Sequence, residues 1–182
     1  NVGDEMAFLD APERLADIHL PCEMCCMGFV YCMQGSIRYT VDTISYTMQR
    51  GDVLLMPIGP TLNGITADTD FKGKALLLSR GFLNEIIKGM RQLTSLFLFS
   101  RTHPLFSLNE EEVQELLIYL GLLERRLHQS HNPYRKDIAG SIITAIIYSV
   151  SEAICRVKEF SCGQQTRAEK IFTDFIRLVE EH

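Results

Sequence analysis

The chain lacks a long hydrophobic run. Its longest apolar stretches, Val53–Ile58 and Ile142–Ile147, fall far short of the ~18–20 residues that a membrane-spanning helix needs. It also lacks an apolar segment followed by a small-residue cleavage site near its start, which a secretory signal would show. The sequence therefore predicts a protein that neither spans a membrane nor enters the secretory pathway.

An excess of basic residues is missing as well. The 182 residues carry 18 Lys and Arg against 23 Asp and Glu, a net charge of −5. Both halves of the chain are acidic, so neither has the positive surface that binds nucleic acid through its phosphates. With 46% hydrophobic and 23% charged residues, the composition is typical of one compact globular domain.

Cysteine is the one reactive residue type that is well represented, with six copies. Cys22, Cys25, Cys26 and Cys32 fall in one strand-like stretch, where alternating faces prevent all four from pairing. We therefore expect reduced, structural thiols in a reducing cytoplasm. A redox or zinc role for the Cys22 and Cys25 pair stays open, although no second such pair completes a zinc site.

Short runs rich in β-branched and aromatic residues follow an N-terminal arm over residues 1–20. Turn residues such as Gln34-Gly35 and Gly51-Asp52 separate them, as in a small antiparallel sandwich or barrel. In the second run, apolar residues alternate with polar ones, so one face is predicted to be buried. The predicted strands are Met24–Met33, Ser36–Val41, Thr43–Met48, Val53–Met56 and Lys74–Leu78.

Helical periodicity replaces this pattern after residue 80. A short helix is predicted near residues 81–91, and Asn109 with Glu112 predicts a capping box at the start of a long helix. Asn132-Pro133 predicts the start of a second long helix that ends near residue 160, folded back on the first. A last helix is predicted over residues 166–182. The fold class is therefore α+β, with a β-rich unit at 21–108 and a helix pair at 109–160.

The segment Gly51–Gly59 resembles the second motif of the cupin superfamily, a glycine, a short strand and a proline–glycine turn. This resemblance implies a cupin-like β-barrel of the jelly-roll type over the β-rich unit. The metal ligands of that motif are absent, because Leu62 and Thr66 stand where histidine and asparagine belong. None of the five histidines occupies a ligand position. We therefore expect no catalytic metal, no cofactor and no enzymatic activity.

A cupin-like barrel, an antiparallel helix pair and a short amphipathic helix together are similar to the N-terminal regulatory half of AraC-family transcription regulators. The stretches that carry the resemblance are Gln34-Gly35, Gly51–Gly59, Asn132–Arg135 and Ile171–Glu181. It implies that the barrel senses a small molecule and that the helix pair forms a homodimer. DNA would be bound by helix-turn-helix units that this chain does not contain. The chain begins with Asn1, and we expect it to be a piece of a longer protein.

Polar residues on the predicted strands are the candidate effector contacts. They are Gln34, Arg38, Tyr39, Tyr46 and Asn63, and each has the alternative of being a solvated strand residue. The other strand residues are mostly Val, Ile, Leu, Met and Cys. An apolar effector, or a barrel filled by its own side chains, is therefore as compatible with the sequence as a sugar.

The first long helix carries apolar residues at spacings of three and four from Val113 to Leu127, the pattern of a coiled-coil seam. We expect a homodimer contact here, although an amphipathic stripe is as often intramolecular core. The predicted contact residues are Leu116, Tyr119, Leu120, Leu123, Arg126 and Leu127. Two alternatives remain for the whole chain, namely a small cupin-type enzyme and a stand-alone binding module.

Overall fold

The computed structural model describes residues 5–9, 19–88, 90, 99–129 and 131–161. Within these residues the chain is α+β, with antiparallel strands that precede a pair of long helices. The predicted helix over 166–182 lies outside the described residues. The strands are β1 Met6–Leu9, β2 Cys22–Glu23, β3 Cys26–Gln34, β4 Ser36–Val41, β5 Ile44–Gln49, β6 Asp52–Met56, β7 Thr61–Ala67, β8 Lys72–Ser79 and β9 Leu105–Ser107.

The strands form two sheets that share one hydrophobic core. A five-stranded sheet has the order β1-β8-β3-β6-β9, and a four-stranded sheet has the order β2-β7-β4-β5. Val30 and Leu54 of the first sheet pack in the same cluster as Ile37 and Met48 of the second. The expected barrel is therefore a two-sheet sandwich of the jelly-roll kind, because every described strand pairs within its own sheet.

The five-stranded sheet is covered on its other face by helices. Strand β3 shows the alternation directly, because Val30 and Cys32 face the sandwich core whereas Phe29 and Tyr31 belong to the helix-side core. Successive side chains of a strand point to opposite faces, so this continuous apolar run serves two cores. The fold thus has three layers, with the five-stranded sheet in the middle.

The helices begin and end close to their predicted positions. They are α1 Arg80–Ile87, α2 Glu110–Leu127 and α3 Arg135–Ser161. The predicted capping box is present, since Glu112 N donates to Asn109 Oδ1 at 2.9 Å and Asn109 N donates to Glu112 Oε2 at 2.8 Å. Asn132 Oδ1 accepts from Tyr134 N at 2.9 Å, so it caps the turn that leads into α3.

Four strands were not predicted. Strand β1 lies in the stretch interpreted as an arm, and it pairs with β8 from Met6 to Leu9. Strands β2 and β9 have only two and three residues, too few for a periodic signal. Strand β7 contains Asn63-Gly64, which favours a turn, but the pairing of β7 with β4 accommodates these residues by a register shift. The cysteine stretch is not one strand, because the chain changes sheets between Glu23 and Cys26.

Two glycines explain the tight corners of the sandwich. Gly35 has φ of 71° between β3 and β4, and a Cβ placed there would lie 2.8 Å from Asp70 Oδ1 and 2.9 Å from Phe71 Cα. Gly51 has φ of 89° before β6, and its N–H donates to Cys32 O at 2.9 Å. Both corners need a left-handed backbone, which glycine adopts without a steric cost.

Helix α3 contains a window, Arg135–Val157, that is long and apolar enough by length and composition to cross a membrane. Small and polar residues interrupt this window, so it contains no long uninterrupted apolar run. In the fold 33% of the window is buried, and six of its side chains lie in the helix-side core. They are Ala139, Ile143, Ile146, Val150, Ala153 and Ile154.

Candidate functional site: the sandwich interior and the helix pair

Tyr39 lies at the centre of the sandwich interior. Strand β4 points Ile37, Tyr39 and Val41 inward, and only 2% of Tyr39 is exposed. Its hydroxyl has no hydrogen-bond partner among the described residues. Burial raises the pKa of Tyr39 far above its ordinary value, with Tyr46 and Asp52 adding to the effect, so the phenol stays protonated. A buried polar group without a partner is unusual in folded proteins, and a water molecule, an ion or a ligand can supply the partner.

The ring of Tyr46 stacks on that of Tyr39. The centroids are 5.3 Å apart and the planes differ by 14°, because the two residues are direct cross-strand partners of β4 and β5. Tyr46 itself is half-buried. The two tyrosines thus form a flat aromatic wall in a core that also contains Phe71 and several aliphatic and sulfur-containing side chains.

The charged group that acts on this wall already has hydrogen-bond partners within the chain. Asp52 is the charged residue that acts on Tyr39, but its Oδ2 accepts from Gln49 N at 2.8 Å and its Oδ1 accepts from Ser107 Oγ at 2.6 Å. All buried side chains in the described part of the interior cluster are uncharged. The interior therefore offers a neutral hydrogen-bond donor and no cation among the residues described.

The other three predicted contacts do not reach the interior. Arg38 is exposed on the outer face of β4, since it alternates with the inward Ile37 and Tyr39. Gln34 is exposed at the end of β3. The Asn63 amide donates to Asp42 O and fastens the turn between β4 and β5. The structure therefore brings together Tyr39 and Tyr46 only. Which of these residues contact an effector stays a prediction.

The described cysteines carry free thiols. Cys32 is fully buried, and burial raises the pKa of its thiol to about 11. Burial also raises the pKa of Cys26, with its neighbour Cys25 adding to the rise. Such thiols are protonated and unreactive at neutral pH. Among the residues described, no group of three His, Cys, Asp or Glu side chains lies close enough to hold a metal ion.

Leu62 and Thr66, the two positions that depart from the cupin motif, both lie on β7. Leu62 is 1% exposed and is the cross-strand partner of Cys22 and Val41, so it is part of the sandwich core. Thr66 is exposed and pairs with the outward-facing Arg38. Neither side chain is placed or equipped to bind a metal ion.

The leucines of the predicted seam on α2 pack against the rest of the same chain. Leu116, Leu120 and Leu123 are at most 1% exposed and belong to the helix-side core. Tyr119, Arg126 and Leu127 are half-buried at its margin. A second copy cannot contact the three buried leucines without separating α2 from the rest of the fold. A dimer contact on α2 would therefore have to use residues other than these three leucines.

The opposite side of the helix pair exposes two large apolar side chains that were not among the predicted contact residues. Ile118 on α2 is 62% exposed, and Tyr148 on α3 is 48% exposed. Exposed residues recur along α2 at spacings of three and four and form a stripe. The two ends of this stripe carry opposite charges. It consists of Glu111, Gln114, Ile118, Gly121 and Arg125. The sequence signal for an exposed contact was weak, because one isoleucine next to a long leucine seam is also typical of a helix with a wide buried face.

The two helices are held together by polar contacts at their ends. Arg156 donates to both Glu112 oxygens at 2.8 Å and to Ser107 O at 3.2 Å. Ser149 Oγ donates to Glu115 Oε2 at 3.1 Å. These contacts and the shared core make the helix pair a rigid surface rather than two loosely attached helices.

No protein-family model and no curated protein matches the chain. Among solved structures, it is similar to apo ToxT from Vibrio cholerae, with 12% identity over 81% of this chain and 55% of ToxT and a TM-score of 0.49. It is similar to the AraC-like transcriptional activator CuxR, with 12% identity over 69% of this chain and 43% of CuxR and a TM-score of 0.43. The cupin domain of Cnp3 from Schizosaccharomyces pombe matches at 13% identity over 47% of this chain and 64% of that domain, with a TM-score of 0.32.

The chain thus spans about half the length of ToxT and less of CuxR. The TM-scores of these matches are below 0.5, so the proposals that follow rest on the residues of this chain itself. In architecture the chain is an antiparallel two-sheet sandwich with a helix pair, similar to AraC-like regulators and to cupin domains.

Proposed function

We propose that this chain is the effector-sensing and dimerisation module of an AraC-type transcription regulator in the cytoplasm. A small-molecule effector is bound inside the sandwich, and two copies associate through the helix pair. DNA is bound by a C-terminal half outside this chain, since the acidic balance of these residues does not suit phosphate contacts. We do not propose an enzyme, because core Leu62 occupies a position that a cupin metal site needs for a ligand.

The observation that carries this proposal is a pair of exposed apolar side chains on the helix pair. The leucines of the inner seam are buried in the core, yet Ile118 and Tyr148 face solvent. Exposed Glu115 and Glu152 lie about one helical turn from them along α2 and α3. Large apolar side chains among charged ones on a surface favour a protein interface there.

The charges at the ends of the α2 stripe fit a symmetric dimer. Glu111 and Arg125 lie at equal distances in sequence from Ile118, seven residues on either side (118 − 111 and 125 − 118). If two α2 helices pack antiparallel about a two-fold axis at Ile118, Glu111 lies opposite Arg125 of the partner subunit. The same pair then recurs at the other end, as two-fold symmetry requires.

A reporter fusion tests the proposal. The chain is fused to a DNA-binding domain that cannot dimerise by itself. This domain represses a reporter promoter only when its fusion partner dimerises. We expect the fusion to repress, and Ile118→Asp to abolish repression while the fusion protein remains present at the same level. A matched control is Ile44→Asp, which makes the same change at an exposed isoleucine of β5, away from the helix pair. Repression no better than that of the DNA-binding domain alone would contradict the dimerisation role.

A further inference from the structure

Inside the sandwich, Tyr39 sets the chemistry of what can be bound. Its hydroxyl is buried and has no partner among the described residues, and its ring is stacked on Tyr46. Leaving such a group unpaired costs free energy, and a ligand that pairs with it recovers that cost. The binding determinant is thus a single phenol donor beside a flat aromatic surface.

The charge of the interior limits the ligand further. The described interior side chains are uncharged, and the charged group that acts on Tyr39 is the carboxylate of Asp52. Arg38 on the same strand points to the outer face. A carboxylate or phosphate in this interior would be desolvated without a cation and would lie near a negative charge.

The sandwich interior contains side chains that change shape easily. Met24, Met48 and Met56 are buried in the same interior cluster as Tyr39. Methionine is unbranched and flexible, and its sulfur makes favourable contacts with aromatic rings. An interior lined in this way adapts to a flat apolar molecule without unfolding of the strands.

We infer that the effector is a neutral, flat and mainly apolar molecule with one hydrogen-bond acceptor, and that this acceptor binds the Tyr39 hydroxyl. The inference rests on the proposed sensing role of the sandwich interior. It makes Tyr39 the residue that determines specificity. We therefore expect a neutral effector to bind more tightly than a carboxylate or a phosphate of the same size.

Three probes of the same size test this inference by NMR titration of the whole chain. Acetophenone is neutral and has one carbonyl acceptor, α-methylstyrene has the same shape without the acceptor, and benzoate carries a negative charge. We expect acetophenone to shift the signals of Tyr39 and Tyr46 saturably. Benzoate should bind at least about tenfold more weakly, since its charge would be buried without a cation.

Tyr39→Phe then isolates the hydrogen bond. It should weaken acetophenone binding about fivefold, the usual effect of one neutral hydrogen bond, and leave α-methylstyrene binding unchanged. Tyr46→Phe is the control, because it keeps both rings and the Tyr39 hydroxyl and should change acetophenone binding less than twofold. Unchanged acetophenone binding in Tyr39→Phe, or tighter binding of benzoate than of acetophenone, would overturn the inference.

These outcomes are separate from failure of the proposed function. Loss of dimerisation in the reporter fusion contradicts the dimerisation role. It does not change the result expected from the probe titration. If none of the three probes shifts the interior signals, the inference is overturned, because the Tyr39 hydroxyl then serves no ligand of this class. If probes bind but Tyr39→Phe has no effect, the interior binds ligands by shape alone.

Discussion

At the scale of single residues, the unpaired Tyr39 hydroxyl has a consequence for the free protein. Removing a buried polar atom that has no partner takes away a desolvation cost rather than an interaction. We expect the free energy of unfolding of Tyr39→Phe, measured in urea, to equal that of the wild type or to exceed it by up to about 1 kcal/mol. Tyr46→Phe serves as the control. A loss of 1 kcal/mol or more in Tyr39→Phe would show that the hydroxyl has a partner within the chain.

The two corner glycines allow a second residue-scale prediction, since both have positive φ but differ in surroundings. In Gly51→Ala the added methyl group has no neighbouring atom within 4 Å. This change should lower the free energy of unfolding only by the backbone strain, about 1 kcal/mol. Gly35→Ala adds a clash with backbone atoms of Phe71 at 2.9 Å, and should cost about 3 kcal/mol. Urea unfolding of both variants measures the difference. Equal losses would contradict the close approach at Gly35.

At the scale of elements, the start of α2 is fastened by Glu112. Partial burial raises the pKa of this carboxyl, but hydrogen bonds from Arg156 and from the backbone N–H of Asn109 outweigh burial and lower it below its ordinary 4.5. A carboxylate with a lowered pKa in the folded state stabilises the fold at pH values above 4.5. That contribution is lost as pH falls through the pKa of the folded state.

Glu112→Gln should therefore lower the free energy of unfolding by about 1 kcal/mol at pH 7. The difference from the wild type should shrink as the pH falls below 4.5. Glu110→Gln removes a carboxylate from the same helix turn and serves as the control, with little expected effect. Urea titrations at pH 7 and pH 3 measure this. A constant difference between the two pH values would contradict the role of the ionised carboxylate.

The elements also show what the sequence could predict. Strands β3 to β6 and β8 and both long helices were predicted within a few residues, because alternation, turn residues and capping pairs are local signals. Strand β7 was missed because its Asn63-Gly64 favours a turn and only pairing with β4 overrides that preference. Local signals do not contain such tertiary pairing.

The candidate sites show the same limit. Heptad spacing predicted a homodimer contact at Leu116, Leu120 and Leu123, whereas these side chains are buried in the helix-side core of one chain. Spacing identifies an apolar face but does not say whether a sheet or a second copy covers it. Tyr39 was one of five polar candidates on the strands. Its missing hydrogen-bond partner became visible only when both sheets were in place.

At the scale of the whole molecule, the five-stranded sheet separates two proposed tasks. One face, with Val30 and Leu54, borders the interior around Tyr39, and the other, with Phe29 and Leu55, supports the helices. The proposed effector and partner surfaces are therefore separated by the five-stranded sheet and the helix layer. The central claim of this account is that the outer face of the helix pair, and not its buried leucine seam, joins two copies.

Sedimentation equilibrium of the wild type and four variants tests that claim most directly. The wild type should be a dimer, Ile118→Asp a folded monomer by circular dichroism, and Leu120→Asp unfolded because it buries a charge in the core. Glu111→Arg should weaken the dimer, and Glu111→Arg with Arg125→Glu should restore it, since the swapped charges face each other again. A monomeric wild type, or an Ile118→Asp variant that remains dimeric, would contradict the account.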